Sequence, residues 1–203
     1  MGAARAAAVK GEPRVIPVSS ARRRDNRPLR FAYADPPYPG LANLYVEHEE
    51  VDHSELIARL ESEFDGWALH THVPALASLL PLCPPEVRIV AWVKPFAVFR
   101  PGARLQYAWE PILIRPLGPP YRTSIFDWYR GNPTRAGRKL KGAKPLDVAM
   151  YVFDAAGLRP TDTLEDLYPG TGAIGRAWAT WSSQARPIGK RPSARPLKLW
   201  GSA

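Results

Sequence analysis

Residues 29–38 read LRFAYADPPY, a largely apolar run that ends in a carboxylate, two prolines and an aromatic ring. The apolar part, residues 29–34, is typical of a strand buried in a sheet. In an open α/β sheet, ligands bind beyond the carboxyl ends of the strands. This strand would therefore deliver Asp35 to the edge of the sheet where chemistry occurs.

The tetrapeptide Asp35-Pro36-Pro37-Tyr38 carries the groups that a planar amine needs. Each proline fixes its φ angle and lacks an N–H, so the backbone carbonyls face a ligand without a competing donor. A carboxylate and a carbonyl together match the two hydrogens of an exocyclic amine, and Tyr38 offers a face on which a heterocycle can stack. An ordinary Pro-Pro turn with a solvated Asp35 is the alternative.

A second motif, DLYPGTG at residues 166–172, follows a predicted strand and precedes a predicted helix. Gly170 and Gly172 allow positive φ and close approach of the backbone to a ligand, and the helix N-terminus offers free N–H groups. Alone, this pattern is a weak signal for a nucleotide-like cofactor, and a plain strand-to-helix connection is the alternative.

In their order and spacing the two motifs resemble the amino-methyltransferases, which use S-adenosylmethionine (SAM) to methylate the exocyclic amine of adenine or cytosine in nucleic acid. The likeness runs from about residue 29 to 180, and the target motif precedes the cofactor motif, as in the permuted classes. The resemblance implies that the catalytic residues are Asp35, Pro36, Pro37 and Tyr38. It implies a cofactor site made of Asp166, Tyr168, Pro169, Gly170, Thr171, Gly172 and Lys144.

Two further segments are similar to elements of this family. Lys144-Pro145 opens a predicted helix, similar to the element that closes the methionine end of the cofactor pocket. Trp92-Val93-Lys94-Pro95, with Glu110 downstream, resembles the branch that includes messenger-RNA adenosine methyltransferases and many phage and bacterial DNA enzymes. Trp92 and Lys94 are therefore possible pocket residues.

The resemblance implies direct methyl transfer to N6 of adenine in DNA by a site-specific methyltransferase, without a metal. Adenine is preferred because the family's cytosine-N4 enzymes usually begin the tetrapeptide with Ser instead of Asp. Cytosine-N4 and RNA adenine methylation remain alternatives. The family's ribose-binding acid is missing, because no Asp or Glu follows Asp166. A non-catalytic nucleic-acid-binding protein with the same fold is therefore a third alternative.

Composition agrees with one catalytic domain. The chain has 203 residues, of which 45% are hydrophobic, enough for a single core. Its one cysteine, Cys83, provides neither a disulfide framework nor a cysteine metal site. The sequence has no apolar run long enough for a membrane span or a signal peptide. We therefore expect a cytoplasmic protein, of a bacterial cell or a phage-infected host, with no membrane partner.

The net charge of +9 is unevenly spread and points to nucleic acid as the partner. We expect residues 1–28 to be a basic, flexible arm, with a solubilising tail as the alternative. Residues 29–203 would form a single methyltransferase-like domain with a basic target-recognition insertion at about 116–143. The predicted nucleic-acid-binding residues are Arg122, Trp128, Tyr129, Arg130, Arg135, Arg138 and Lys139. A lid without base specificity is the alternative for this insertion.

Hydrophobic patterning predicts strands that alternate with helices. The predicted strands lie near Leu29–Ala34, Gly66–His70, Val87–Trp92, Glu110–Arg115 and Thr163–Tyr168. The predicted helices lie near Ser54–Phe64, Pro74–Leu80, Pro145–Ala156 and Ala173–Thr180. This order predicts an α/β fold with a doubly wound, mostly parallel sheet of the class I methyltransferase (Rossmann-like) type, in which the strands before the two motifs are neighbours.

Overall fold

The computed structural model describes residues 27–42, 49–97, 99, 101–118, 124–132 and 144–184. Nearly all of the predicted basic arm lies outside these ranges. So do four of the predicted nucleic-acid-binding residues, Arg122, Arg135, Arg138 and Lys139.

Within the described ranges, one sheet is flanked by helices. The strands are β1 (Arg30–Ala34), β2 (Gly66–His70), β3 (Arg88–Val93), β4 (Trp109–Arg115), β5 (Trp128–Arg130) and β6 (Thr163–Asp166). The helices are α1 (His53–Glu63), α2 (Leu76–Leu79), α3 (Leu146–Ala156) and α4 (Ala173–Ser183). Short 3-10 turns at Val73–Ala75 and Leu80–Leu82 flank α2.

The strand order is β5-β3-β4-β2-β1-β6. The strand β1 is parallel to β2 and β6, and β3 is parallel to β5, whereas β4 runs antiparallel to both of its neighbours. The carboxyl ends of five strands and the amino end of β4 therefore meet at one edge, which we call the carboxyl edge. The prediction of a mostly parallel sheet is confirmed.

The strand β1 lies between β2 and β6, so the two sequence motifs leave the sheet side by side. Tyr33 is the register partner of Ala68 on one side and of Asp166 on the other. The N–H of Leu167 continues this pairing by donating to the Tyr33 carbonyl at 2.9 Å. The predicted adjacency of the two motif-bearing strands is confirmed.

Successive side chains of β1 point to opposite faces of the sheet, and helices cover both faces. Phe31 and Tyr33 pack in the apolar cluster that contains α3 and α4, and Ala32 and Ala34 pack in the cluster that contains α1. Burying large apolar side chains of this kind stabilises the fold by about 1.5–3 kcal/mol each. This three-layer arrangement holds the end of β1 rigidly.

The strand β5 was not predicted from the sequence. It is three residues long, lies at the edge of the sheet, and pairs with β3 through Trp92 opposite Tyr129. Backbone bonds flank the pair, from the Ala91 N–H to Asp127 O at 2.9 Å and from the Gly131 N–H to Val93 O at 3.1 Å. Part of the predicted insertion therefore extends the sheet.

Candidate active site

Four charged side chains converge at the carboxyl edge because of where their strands begin or end. Asp35 follows β1, Lys94 follows β3, and Asp166 is the last residue of β6. Glu110 is the second residue of β4, which reaches the same edge only because β4 runs in the opposite direction. Ligand sites of open α/β sheets lie at this edge.

Lys144, which lies just before α3, is the centre of a buried polar cluster. Its Nζ donates to Asp35 Oδ1 at 2.9 Å and to the Tyr38 hydroxyl at 2.9 Å. The Glu110 Oε2 atom is 3.9 Å from the same nitrogen. The Lys144 side chain is only 9% exposed, so these oxygens replace much of its hydration.

Glu110 joins the two lysines of the site. Its Oε2 accepts a hydrogen bond from the Tyr38 hydroxyl at 3.2 Å, and its Oε1 forms an ion pair with Lys94. The Lys94 ammonium also lies 4.9 Å from the centroid of the Trp92 ring, within cation–π range. The hydroxyl of Tyr38 thus accepts from Lys144 and donates to Glu110, which fixes its direction.

Burial and charge set the protonation states in this cluster. Burial raises the pKa of Asp35, while Lys144 opposes this rise and Glu110 adds to it. Burial alone would lower the pKa of Lys144, but Asp35, Tyr38 and Glu110 outweigh burial and raise this pKa well above its usual value. Lys144 therefore stays cationic, and Asp35 holds a proton more tightly than an ordinary aspartate.

The ring of Tyr38 is largely covered by its neighbours. The residue is 8% exposed, and its ring lies 5.6 Å from that of His72, at a tilt of 35°. Lys144 Nζ lies 5.2 Å from the Tyr38 ring centroid. A base that stacks on Tyr38 would need a neighbouring side chain to move.

The Gly-rich turn after β6 brings a second carboxylate to the same edge. Asp166 Oδ1 accepts from the Tyr168 N–H at 3.3 Å, whereas Oδ2 is buried and has no hydrogen-bond partner among the described residues. The Gly172 N–H donates to Pro169 O at 2.6 Å to close the turn. Gly172 has a φ of 69° and caps α4, a backbone conformation that favours glycine.

Asp35 and Asp166 influence each other electrostatically. Burial raises the pKa of Asp166, the Tyr168 N–H opposes this rise, and the charge of Asp35 adds to it. Two partly buried carboxylates that repel each other favour a ligand that brings positive charge or N–H donors. The remaining residues of the predicted cofactor set, Pro169, Gly170 and Thr171, form the exposed or half-exposed tip of the turn.

A buried pair lies beneath this site. The Tyr33 hydroxyl and His70 Nε2 are 2.6 Å apart, and both side chains are fully buried. Burial lowers the pKa of His70 well below its usual value, so the imidazole is neutral. Tyr33 also packs edge-on against Phe153 of α3, which ties the floor of the site to the helix layer.

Three predicted nucleic-acid-binding residues lie in β5. Tyr129 donates to Asp147 Oδ2 at 2.9 Å and stacks on Tyr151 at 5.1 Å, which packs it against α3. Trp128 stacks on Phe126 at 5.9 Å. Arg130 is exposed at the end of β5, at the carboxyl edge. A nucleic-acid role for all three stays a prediction, and Arg130 has the most accessible position.

The structure adds Glu110 and His72 to the residues around Asp35 and Tyr38, and it places Lys94, already a possible pocket residue from the sequence, against Glu110. Glu110 carried a sequence signal, since it belongs to the segment that resembles the adenosine-methyltransferase branch. For His72 the sequence indicates only a position just beyond the strand β2. Among the described residues, no group of three or more His, Cys, Asp or Glu is placed to hold a metal ion. Nor does any helix in the described part of the chain have the length and apolarity to cross a membrane.

The strand order, the antiparallel β4 and the Gly-rich turn after β6 together define a class I, Rossmann-like methyltransferase fold. Among solved structures, the chain is similar to the M1.HpyAVI-SAM complex, with 16% identity and a TM-score of 0.54 over 77% of this chain and 80% of that one. It is also similar to M1.HpyAVI, with 14% identity and a TM-score of 0.52 over 77% of this chain and 78% of that one. No protein-family model matches the sequence. No curated protein matches it either.

Proposed function

We propose that this protein transfers a methyl group from S-adenosylmethionine to the exocyclic N6 amine of adenine in DNA. The observation that carries the proposal is the pairing of β1 with β6, which puts Tyr33 opposite Asp166. Asp35, the proposed amine acceptor, and the Gly-rich turn, the proposed cofactor loop, therefore leave the sheet next to each other. A methyl donor and an acceptor amine need this proximity.

The residues of the Gly-rich turn fit the proposed cofactor. Asp166 Oδ2 is a buried acceptor without a partner in the described ranges, and it suits an ammonium or hydroxyl donor of the cofactor. The positive φ of Gly172 lets the backbone approach a ligand at the start of α4. One of the similar structures is a complex with SAM. When bound, S-adenosylmethionine supplies an electrophilic methyl group on a sulfonium.

Asp35 would activate the target amine. The lone pair of adenine N6 is delocalised into the ring, so the amine is a poor nucleophile until its hydrogens are bound by acceptors. The carboxylate of Asp35 and the carbonyl of Pro36 would accept the two hydrogens and direct the lone pair. As positive charge develops on the nitrogen, the partly buried carboxylate stabilises it more strongly than it would in water.

Charge favours nucleic acid as the polymer that carries the amine. The chain has a net charge of +9, and Arg130 is exposed at the carboxyl edge that holds the site. A base in a duplex would have to be flipped out to reach Asp35. Adenine is favoured over cytosine by the family resemblance of the DPPY tetrapeptide, which begins with Asp35.

A non-catalytic nucleic-acid-binding protein is the second candidate. One observation favours it, the lack of any Asp or Glu after Asp166, which leaves the cofactor ribose without the usual acidic partner. The two candidates differ in cofactor affinity, which calorimetry with S-adenosylmethionine measures directly.

The decisive test is methyl transfer followed by nucleoside mass spectrometry. Purified protein is incubated with methyl-labelled S-adenosylmethionine and, separately, with unmethylated duplex DNA, single-stranded DNA or RNA. Label in N6-methyl-deoxyadenosine supports the proposal. Label on cytosine N4 would identify cytosine as the target base, and label in RNA would identify RNA as the polymer. No transfer together with no heat of cofactor binding would favour the second candidate.

Asp35→Ala tests the proposed catalytic role. We expect transfer to fall by at least about a hundredfold, because one preorganised electrostatic contact to the reacting group is lost. Cofactor affinity should stay within a few fold of wild type. Glu165→Gln is the matched control, since it removes an exposed carboxylate that pairs with Arg30 outside the site. Near-wild-type turnover by Asp35→Ala would contradict the role.

A further inference from the structure

The Lys144 ammonium contacts Asp35, the carboxylate that the proposed mechanism reserves for the target amine. Two of its three N–H groups have acceptors, Asp35 Oδ1 at 2.9 Å and the Tyr38 hydroxyl at 2.9 Å. Its nitrogen also lies 5.9 Å from the centroid of the Trp92 ring. An exocyclic amine on a planar base would offer Asp35 the same kind of N–H donor, and the ring of the base would suit the aromatic side chains nearby.

Lys144 and a target amine cannot both donate to the same lone pair of Asp35 Oδ1. An amine that takes this lone pair displaces Lys144, whose buried charge then needs another anion. Glu110 provides one, because its Oε2 is 3.9 Å from Lys144 Nζ. Charge-assisted N–H···O hydrogen bonds are about 2.7–2.9 Å long, so a movement of about 1 Å would complete the new contact.

Glu110 is held in place to receive the ammonium. Lys94 pairs with its Oε1, and the Tyr38 hydroxyl donates to its Oε2. These contacts fix the Glu110 carboxylate near Lys144. The lysine thus has two anions within 4 Å and is closer to Asp35, the one that the proposed chemistry needs.

We propose that Lys144 is a displaceable occupant of the amine site, and that Glu110 is the second carboxylate to which its ammonium moves when a target amine binds Asp35. This inference rests on the proposed function. It makes Lys144 a positioning residue that acts through Asp35. While no target is bound, the lysine favours the ionised form of Asp35, and when it gives up this contact its ammonium keeps an anionic partner in Glu110.

Protonation of Asp35 gives a readout that does not depend on methyl transfer. The titratable groups that face it are Lys144 before α3, Glu110 on β4, Tyr33 on β1, Tyr38 after β1 and Asp166 on β6. Of these, Lys144 lowers the pKa of Asp35 and Glu110 raises it. In the cofactor-free protein, Lys144→Met should therefore shift the Asp35 titration to higher pH, and Glu110→Gln should shift it to lower pH.

Carbon-13 NMR of the side-chain carboxyl groups measures this titration. The Asp35 signal is identified by its loss in Asp35→Asn. Arg88→Met is the control for the loss of a positive charge, because Arg88 is exposed at the start of β3, at the edge opposite the site. It should leave the Asp35 titration where it is in wild type. If Lys144→Met also leaves it unchanged, the ion pair does not hold Asp35 and the proposal is overturned.

Steady-state kinetics test the second carboxylate. Glu110→Gln removes the anion that receives Lys144, so the target must break the Lys144–Asp35 contact without compensation. We expect KM for the nucleic acid to rise about tenfold, the equivalent of one charge-assisted hydrogen bond, with kcat much less affected. An unchanged KM in Glu110→Gln would overturn the movement. A protein that transfers no methyl group would refute the proposed function. The titration of Asp35 would still show whether Lys144 pairs with it, because this measurement needs no methyl transfer.

Discussion

The Tyr33–His70 pair makes a quantitative prediction about stability. Tyr33→Phe removes the hydroxyl that lies 2.6 Å from His70 Nε2, in a place that water does not reach. His70 Nδ1 is already buried without a hydrogen-bond partner in the described structure, so the variant leaves both ring nitrogens unbonded. A buried polar group that loses its partner costs about 1–3 kcal/mol. We expect the free energy of unfolding to fall by about 2 kcal/mol, and Tm by about 4–8 °C for a chain of this size.

A double-mutant cycle separates the hydrogen bond from packing. His70→Leu replaces the imidazole by an apolar group of similar volume, and Tyr33→Phe/His70→Leu removes both polar partners. The double variant should be more stable than the sum of the single changes predicts, by about 0.5–3 kcal/mol. Urea unfolding at pH 7.5 with an unchanged m-value gives the four free energies. Strict additivity would refute the idea that the hydrogen bond stabilises the pair.

The same pair makes stability depend on pH with a definite sign. Burial lowers the pKa of His70 in the folded state, whereas an unfolded histidine titrates near pH 6.5. The unfolded state therefore binds more protons below about pH 6.5, and stability is lost as the pH falls toward the folded pKa. Between pH 6.5 and pH 5, wild type should lose up to about 1.6 kcal/mol more than His70→Leu. Parallel pH curves for the two proteins would show that the folded histidine can take up the proton.

Three further changes test the packing, the turn and the site. In Gly66→Ala, the new Cβ would lie 2.7 Å from the Arg115 carbonyl oxygen, so we expect unfolding midpoints in urea to report a loss of about 1–3 kcal/mol. In Gly172→Ala, the φ of 69° strains the alanine backbone by about 1–2 kcal/mol, and calorimetry should show weaker S-adenosylmethionine binding. Gly175→Ala is the control and should bind the cofactor normally, because nothing lies within 4 Å of its new Cβ. Burial raises the pKa of Asp35, so kcat/KM should fall as the pH is lowered, with an apparent pKa above the ordinary aspartate value of about 3.9. An apparent pKa at or below that value would contradict the proposed catalytic role of Asp35.

The sequence predicted most of the sheet because its strands are apolar in the way that buried strands are. The strand β2 is buried at every residue, and its predicted bounds, Gly66–His70, are those of the structure. The helix α1 was also predicted from the sequence, because Leu56, Ile57 and Leu60 form one apolar stripe at helical spacing. In the structure Asp52 caps its first turn. The predicted strand Thr163–Tyr168 ends two residues early, at Asp166, where the Gly-rich turn begins.

Other features depend on contacts that a linear pattern does not encode. The strand β5 has only three residues, and its pairing with β3 comes from position at the sheet edge and not from a run of apolar residues. The hydrogen bond between Tyr33 and His70 joins residues 37 positions apart on neighbouring strands. Family resemblance assigned Lys144 to the cofactor. That role stays a prediction, and the structure adds contacts of its ammonium with Asp35 and Tyr38 that the sequence did not indicate.

The reversed direction of β4 also has a consequence for diversification. Because β3 and β4 form a hairpin, the segment 95–108 begins and ends at the carboxyl edge. Surface connections of this kind tolerate inserted or exchanged residues. Lys94 and Glu110 lie on either side of the segment and are anchored to each other. The hairpin is therefore a place where loops of different lengths can be grafted onto this scaffold.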